Sequence, residues 1–168
     1  NSTVKESLYW STITNQTIEM LGSTVQQVVN METGYRGYLI TSTEAFLEPL
    51  DSGRDLAKNN IKALQEMNDD LPEISKRLNI LKEQIEAWDN TVIQKGIALR
   101  NRDSDQAVID FVRKATGKTY VDGIRKTASE INILSKEMLK ARELEVEQSM
   151  QTLVMKAVTI SLVGAILA

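Results

Sequence analysis

The chain has 168 residues, of which 20 are basic and 23 acidic, and its formal net charge is −3 at pH 7. A weakly acidic chain lacks the basic footprint of nucleic-acid-binding proteins, so we expect no nucleic-acid partner. It contains neither histidine nor cysteine, which excludes a Ser-His-Asp triad and metal sites built on imidazole or thiolate ligands. We therefore predict no cofactor, no metal site and no catalytic constellation.

The composition favours long helices. Aromatic residues make up 5% of the chain, and only 8 glycines and 2 prolines are spread along it, which is unusual for a protein of strands and turns. The spacing of apolar residues predicts four helices. The first runs from about Thr3 to Ile40, the second from the break at Thr41–Glu44 to about Asn68, the third starts at Pro72, and the fourth starts at Asp103–Gln106 and continues into the C-terminal segment.

The first predicted helix carries a heptad stripe, in which successive members lie three or four residues apart. Its members are Val4, Leu8, Ser11, Asn15, Ile18, Gly22, Val25, Val29, Glu32, Arg36 and Leu39. This spacing keeps one seam of a helix against a partner helix. We therefore predict a packing seam here, although four of its members are polar.

The predicted helix lengths indicate the architecture. At 1.5 Å per residue the first helix is about 57 Å long, the fourth is longer, and the second and third are shorter. We predict an all-α, antiparallel four-helix bundle, whose long first and last helices form a membrane-proximal stalk. A bundle held away from a membrane on such a stalk is typical of a sensor.

The C-terminal segment is apolar. From residue 157 to the end there is no charged residue, and Lys156 stands just before this stretch, where a lysine can reach lipid head groups. Twelve residues are too few to cross a bilayer, which needs about 20. We predict that residues 154–168 start a truncated transmembrane helix and that residues 1–153 form an extracytoplasmic sensor domain. The alternative is a C-terminal helix folded back on the core.

The densest local feature is the run Met-Glu-Thr-Gly-Tyr-Arg-Gly-Tyr-Leu-Ile-Thr at residues 31–41. Glu32 and Arg36 lie four residues apart and can pair on one helix face, and Gly34 and Gly37 permit a neighbouring helix to approach closely. Two interpretations stay open. The run is either a structural network that fixes the register of the bundle, or the polar lining of a ligand pocket or signalling hinge.

A second feature, Gly-Lys-Thr-Tyr-Val-Asp-Gly-Ile-Arg at residues 117–125, is not a phosphate loop, because Val112 stands where the first glycine is required. Arg125, Glu137 and Arg142 of the fourth helix are expected to meet Glu32 and Arg36 of the first. An anionic or polar ligand is expected near Arg36 or Arg125. A solvated charged face explains the same residues. The candidate ligand-binding or signalling residues are Glu32, Tyr35, Arg36, Tyr38, Arg125 and Glu137.

The runs 32–41 and 44–50 resemble the CHASE3 family of extracellular sensor domains. The similarity continues weakly through Pro72-Glu73 and Leu78 to Trp88, and returns at Gly117-Lys118, Asp122, Ile124-Arg125, Glu137-Met138-Leu139 and Arg142, so it covers about residues 4–150. The Glu-Thr-Gly-x-Arg-Gly-Tyr-Leu run is its specific part. Leu71 departs from the family, which often has asparagine there, and this affects only a helix cap.

The resemblance implies a four-helix module between two membrane helices, in front of a histidine kinase, a chemotaxis transducer or a cyclase. We expect it in the inner or plasma membrane, with residues 1–153 periplasmic or extracellular and membrane contact through the C-terminal helix. We also expect a homodimer, with the first and fourth helices in parallel pairs. The predicted function is signal input from an unknown small-molecule or protein ligand, relayed through the fourth helix. The alternative is a non-sensing structural or protein-interaction module.

Overall fold

The computed structural model describes residues 2–102, 105–114 and 116–167, and these residues contain helices and no strand. This confirms the predicted all-α class. The third predicted helix is a single rod in which a π turn joins two α-helices. The elements are α1 (Ser2–Thr41), a 3₁₀ turn (Glu44–Phe46), α2 (Leu47–Met67), α3 (Pro72–Trp88), the π turn (Asp89–Ile93), α4 (Gln94–Arg102), α5 (Asp105–Arg113) and α6 (Thr116–Leu167).

The helices form an antiparallel bundle. Helix α1 packs against α2 and α6, and α3 packs against α6 and α2. Long aliphatic side chains fill the space between the four helices, which removes their apolar surface from water and stabilises the bundle. The most deeply buried include Val28, Met31, Leu50, Leu64, Ile74, Leu78, Leu81, Ile93, Ile124 and Ile131.

A buried polar contact marks where the bundle narrows to two helices. Asn68, in the turn between α2 and α3, donates from Nδ2 to the hydroxyl of Thr17 at 3.0 Å and to the carbonyl of Leu64 at 2.8 Å. Asn68 is fully buried, so these bonds satisfy donors that water cannot reach. Because α2 and α3 turn back here, α1 and α6 continue alone towards the N-terminus of α1, as the predicted stalk requires.

Within the stalk, the guanidinium of Arg142 lies 3.7 Å from the centroid of the Trp10 ring, a cation–π contact that clamps α6 to α1. From Glu147 to Val163 the side chains of α6 are exposed. Among the described residues, none of the helices has a stretch that is both long and apolar enough to cross a membrane. The assignment of residues 154–168 to a truncated transmembrane helix stays a prediction.

The fourth predicted helix is divided in two, so its continuity was a wrong prediction. Val108 of α5 and Ile124 of α6 are both buried. The two residues are sixteen positions apart, and at 100° per residue their side chains differ by a net rotation of about 160° around the helix axis. A single straight helix would therefore point these two side chains to nearly opposite faces, and the break lets both face the bundle. Asp103 and Ser104, part of the predicted cap, lie outside the described residues.

Helix α1 uses a different stripe for its contacts within the chain. Its buried residues include a row whose members are again three or four apart, Thr14, Thr17, Leu21, Thr24, Val28, Met31, Tyr35 and Tyr38, and Gly34 and Leu39 are buried as well. The predicted stripe lies beside this one. Val4 is 50% exposed and Leu8 63% exposed, Asn15 and Gly22 are also exposed, and Ile18 is only partly buried.

Close approach between α1 and α2 depends on glycine, as predicted. A Cβ atom at Gly34 would lie 2.6 Å from the carbonyl oxygen of Phe46 and 3.1 Å from the backbone nitrogen of Leu50. Both obstacles are backbone atoms and cannot rotate away. Gly53 of α2 faces α1 in the same manner, since its Cβ would lie 3.1 Å from the carbonyl oxygen of Gln27.

We predict opposite effects for two alanine substitutions in α1. Gly34→Ala should lower the free energy of unfolding by about 2 kcal/mol, because α2 must move away from the new methyl group. Gly22→Ala should raise it by about 0.5–1 kcal/mol, because alanine favours the helix and nothing lies within 4 Å of the new atom. Urea denaturation of both variants measures this. A loss of stability in Gly22→Ala, or none in Gly34→Ala, contradicts the α1–α2 packing.

Candidate functional site

A cavity of about 540 Å³ opens between α1, α3, α5 and α6, near the end of the bundle opposite the stalk. This volume is in the range of small-molecule sites. Residues from all four helices and from the π turn contribute to its wall. They are Glu32, Tyr35, Arg36, Leu39, Trp88, Val92, Phe111, Val112, Thr116, Gly117, Lys118, Val121, Asp122 and Arg125.

The deep part of the cavity is apolar. Leu39, Trp88, Val92 and Val121 line it and are almost completely buried. Trp88 is the largest fully buried side chain of the bundle. These residues belong to the hydrophobic core, so the cavity is an opening into that core. A ligand with an apolar body would contact the same surfaces that the core packs against elsewhere.

The rim is charged. Arg36 Nη1 lies 3.8 Å from Glu32 Oε1 in a partly exposed pair on α1, and Lys118 pairs with Asp122 on α6. Arg125 also lines the cavity, but it forms no ion pair with any residue in the described ranges. The rim therefore has three cations and two anions, and its unpaired charge is positive.

Tyr35 fixes α1 against the rod of α3 and α4. Its hydroxyl donates a hydrogen bond to the carbonyl of Val92 at 3.3 Å. Its ring occupies the space over Gly96, where a Cβ atom would lie 2.7 Å from one ring carbon and 2.8 Å from another. Burial raises the pKa of the Tyr35 phenol from 10.0 to about 12, because the phenolate would lose its hydration.

The π turn gives the cavity its wall. Val92 and Ile93 are adjacent in sequence, yet both are buried, because the wider turn holds one more residue than an α-helical turn. The turn begins at Asp89, and its first carbonyl accepts from the backbone N–H of Gln94. π turns of this kind are frequent at functional sites.

Asp89 ties the π turn to α2 through Arg54. Arg54 donates from Nε to Asp89 Oδ2 at 2.7 Å and from Nη2 to Asp89 Oδ1 at 2.9 Å, the bidentate geometry that favours arginine. The Asp89 side chain is 11% exposed and that of Arg54 31%. The hydrogen bond to Asp89 raises the pKa of Arg54 above its ordinary value, so the guanidinium stays charged.

Four of the six predicted site residues meet at the cavity: Glu32, Tyr35, Arg36 and Arg125. Tyr38 does not. Its hydroxyl donates to Asn101 Oδ1 on α4, so it joins two helices outside the cavity lining. Glu137 is exposed and lies twelve residues beyond Arg125, which is about 18 Å along the helix. It does not line the cavity, and its role in binding or signalling stays a prediction.

Several wall residues had not been assigned to a site. Lys118 and Asp122 belong to the 117–125 run, and their spacing of four residues is a signal for a pair on one helix face. The contributions of Val92 and Phe111 depend on the π turn and on the orientation of α5. Neither feature has a recognisable pattern in the sequence. The described residues contain no cluster of acidic side chains that could hold a metal ion.

Comparison with known proteins adds two findings. The family model of the CHASE3 domain matches residues 8–145 of the chain. The crystal structure of the Rhodopseudomonas palustris histidine kinase HK9 sensor domain has the same fold, with a TM-score of 0.68 and 19% sequence identity over 76% of this chain and 98% of that chain. A search of curated proteins finds no match.

The Arg54–Asp89 pair yields a stability prediction. Arg54→Met should lower the free energy of unfolding by about 2–3 kcal/mol, because it leaves the largely buried Asp89 carboxylate without its cation. The control is Arg77→Met, which removes an arginine of similar exposure whose partner Glu73, at 3.1 Å on the same helix, is 69% exposed; it should cost less than about 1 kcal/mol. Equal losses in urea denaturation would show that the Arg54–Asp89 pair is only a surface interaction.

Burial of Tyr35 yields a pH prediction. Its pKa is higher in the folded chain, about 12 against 10.0, so its contribution to stability is complete below pH 10 and is lost as the pH rises towards 12. The unfolding free energy of the wild type should fall between these values by about 2 kcal/mol more than that of Tyr35→Phe. The exposed Tyr9 gives the control variant Tyr9→Phe, which should follow the wild type. A Tyr35→Phe profile parallel to the wild type contradicts the prediction.

Proposed function

This chain belongs to the CHASE3 family of extracellular sensor domains, and we propose that it is the signal-input domain of a transmembrane receptor that binds a small anionic molecule in the cavity. The stimulus changes the packing of α1 and α6, and α6 relays the change towards the membrane. The output domain in this proposal is that of a histidine kinase or a chemotaxis receptor. The chain itself carries out no reaction.

The observation that carries the proposal is the cavity itself. It joins an apolar interior to a charged rim, which is the usual composition of a small-molecule site. Its wall includes Arg36 on α1 and Arg125 on α6, the two long helices. A ligand that contacts both arginines would change the free energy of one α1–α6 arrangement relative to another, as a conformational switch requires.

The charges favour an anion. Glu32 and Asp122 each neutralise a neighbouring cation on their own helix, whereas Arg125 has no such partner in the described part of the chain. A guanidinium at the edge of an apolar cavity offers two parallel N–H donors to a carboxylate. A small organic acid with an apolar body satisfies both parts of the site.

The relay is supported by the continuity of α6, which extends from Thr116 to Leu167. Lys118 and Arg125 lie at its cavity end, and its 52 residues are about 78 Å long. Arg142 keeps α6 in contact with Trp10 along the way. A helix shift of about 1–2 Å is typical of such transmission, and a hydrogen-bonded helix can carry it without unfolding.

The alternative is a structural or protein-interaction module without a small-molecule ligand. It would explain the charged rim as a solvated surface, since Arg36 and Lys118 are both exposed. The two functions differ in one property: only the sensor responds in a saturable manner to a small molecule that requires Arg125.

We predict that the chain is stabilised by one or more small organic acids, and that Arg125→Gln abolishes the effect. Thermal unfolding is measured with a panel of mono- and dicarboxylic acids, amino acids and amines. A ligand present at 100 times its Kd stabilises the folded state by about 2.7 kcal/mol, enough for a shift of several degrees. The matched control is Lys126→Gln, which removes the same charge from the next, exposed residue.

Saturable stabilisation that is lost in Arg125→Gln and kept in Lys126→Gln supports the sensor. Stabilisation by acids that both variants weaken equally indicates binding to the general charge of α6 and contradicts the cavity as the site. If no acid, amino acid or amine shifts the unfolding temperature, the protein-interaction module is favoured.

A further inference from the structure

The two acidic residues on the rim of the cavity differ in how they are paired. Asp122 accepts a hydrogen bond from Lys118 on the same helix. Glu32 lies 3.8 Å from the nearest nitrogen of Arg36, which is too far for a hydrogen bond. Within the described part of the chain, the Glu32 carboxylate accepts no hydrogen bond. Glu32 is therefore the rim acid whose hydrogen-bonding capacity is still open.

The exposure of the two partners makes the weakness of this pair more pronounced. The Glu32 side chain is 29% exposed, whereas the Arg36 side chain is 71% exposed. A carboxylate that is largely removed from water loses hydration, and hydrogen bonds from a cation compensate for the loss. Arg36 makes no such bond, because its guanidinium is mostly in solvent. Glu32 lines the cavity, so a cationic group bound there can supply the missing bonds without breaking one in the protein.

The charges of the rim thus call for both signs in one ligand. Arg125 lacks an acidic partner in the described ranges and suits a carboxylate, whereas Glu32 suits an ammonium group, which has three donors. Both residues lie on the rim, and the deep part of the cavity is apolar. The two charges of the ligand must therefore lie at one end of an apolar body, since a charge at the other end would enter the apolar interior. An α-amino acid with an apolar side chain has this arrangement.

We propose that the acid bound in the cavity is an α-amino acid with an apolar side chain. Its ammonium group donates to Glu32, its carboxylate accepts from Arg125, and its side chain contacts the apolar wall. This inference rests on the proposed function, because it assigns the ligand of the same cavity. It adds Glu32 as the residue that distinguishes an amino acid from other carboxylic acids.

Pairs of ligands that differ only in the ammonium group test the assignment by isothermal titration calorimetry on the whole chain in mild detergent. L-Leucine is compared with 4-methylpentanoate, and L-phenylalanine with 3-phenylpropanoate. We expect at least one amino acid to bind with a Kd at least about tenfold lower than that of its matched acid, the effect of one hydrogen bond between charged groups. An isomer of leucine, 6-aminohexanoate, separates the two charges and should bind at least about tenfold more weakly than the better amino acid.

Substitution of Glu32 tests which residue recognises the ammonium group. Glu32→Gln keeps the size of the side chain and removes its charge, so the ratio of the two Kd values should fall to about one. The matched control is Glu19→Gln, the same change at an exposed residue of α1 outside the cavity lining, which should keep the wild-type ratio. The comparison of ligands on the wild type needs no variant, so it holds even if a substitution alters the fold.

The outcomes separate this inference from the proposed function. Acids that bind as tightly as the matched amino acids, and that lose binding in Arg125→Gln, overturn the inference and leave the proposed function in place. A preference for amino acids that persists in Glu32→Gln, or tight binding of 6-aminohexanoate, also overturns the inference. If neither the amino acids nor the acids bind in a saturable manner, both the inference and the proposed function fail.

Discussion

The contact between Tyr35 and the backbone at Gly96 joins α1 to the rod of α3 and α4 in the half of the bundle that carries the cavity. The phenol ring reaches the rod of α3 and α4 only because residue 96 has no side chain. The hydroxyl is bonded to Val92, whose carbonyl lies in the π turn. This contact sets the distance between α1 and the rod, and the space left beside it, towards α5 and α6, is the cavity. An α-helical turn in place of the π turn would rotate the following residues by about 100° and remove Gly96 from the ring.

The half of the bundle nearer the stalk buries small polar side chains among its large aliphatic ones. They include Thr14, Thr17, Thr24, Thr127 and Ser135. Thr24 and Ser135 donate to carbonyls four residues earlier on their own helices, so their hydrogen bonds do not hold two helices together. Interdigitated leucines and isoleucines resist sliding, because every displacement opens a void or an overlap. The smaller residues give α1 and α6 fewer such obstacles, which suits the helix shift that we propose.

Much of this arrangement follows from patterns that a sequence displays. The all-α class depends on the spacing of apolar residues by three and four. The turns near Asn68 and Ser42 and the close approach at Gly34 depend on local residue types. The clustering of Glu32, Arg36 and Arg125 followed from the antiparallel order of α1 and α6. The π turn could not be predicted from the sequence. An inserted residue only shifts the phase of the apolar pattern, and Val92 with Ile93 looks like an ordinary apolar pair. The separation of Glu137 from the cavity did not follow either, because charge type alone does not give the level of a residue along a helix.

The surroundings of the heptad stripe of α1 change along the helix. A strict seven-residue repeat on a straight α-helix drifts by about 20° per heptad. From Val4 to Leu39 there are five heptads, so the stripe turns by about 100°, from an exposed face near Leu8 to the buried wall of the cavity at Leu39. Glu32 and Arg36 are the members in which this change occurs. The same row of side chains is thus exposed near the N-terminus of α1 and lines the cavity at Leu39. A rotation of α1 that moved Arg36 towards a bound anion would also rotate the exposed residues of the stripe, including Asn15.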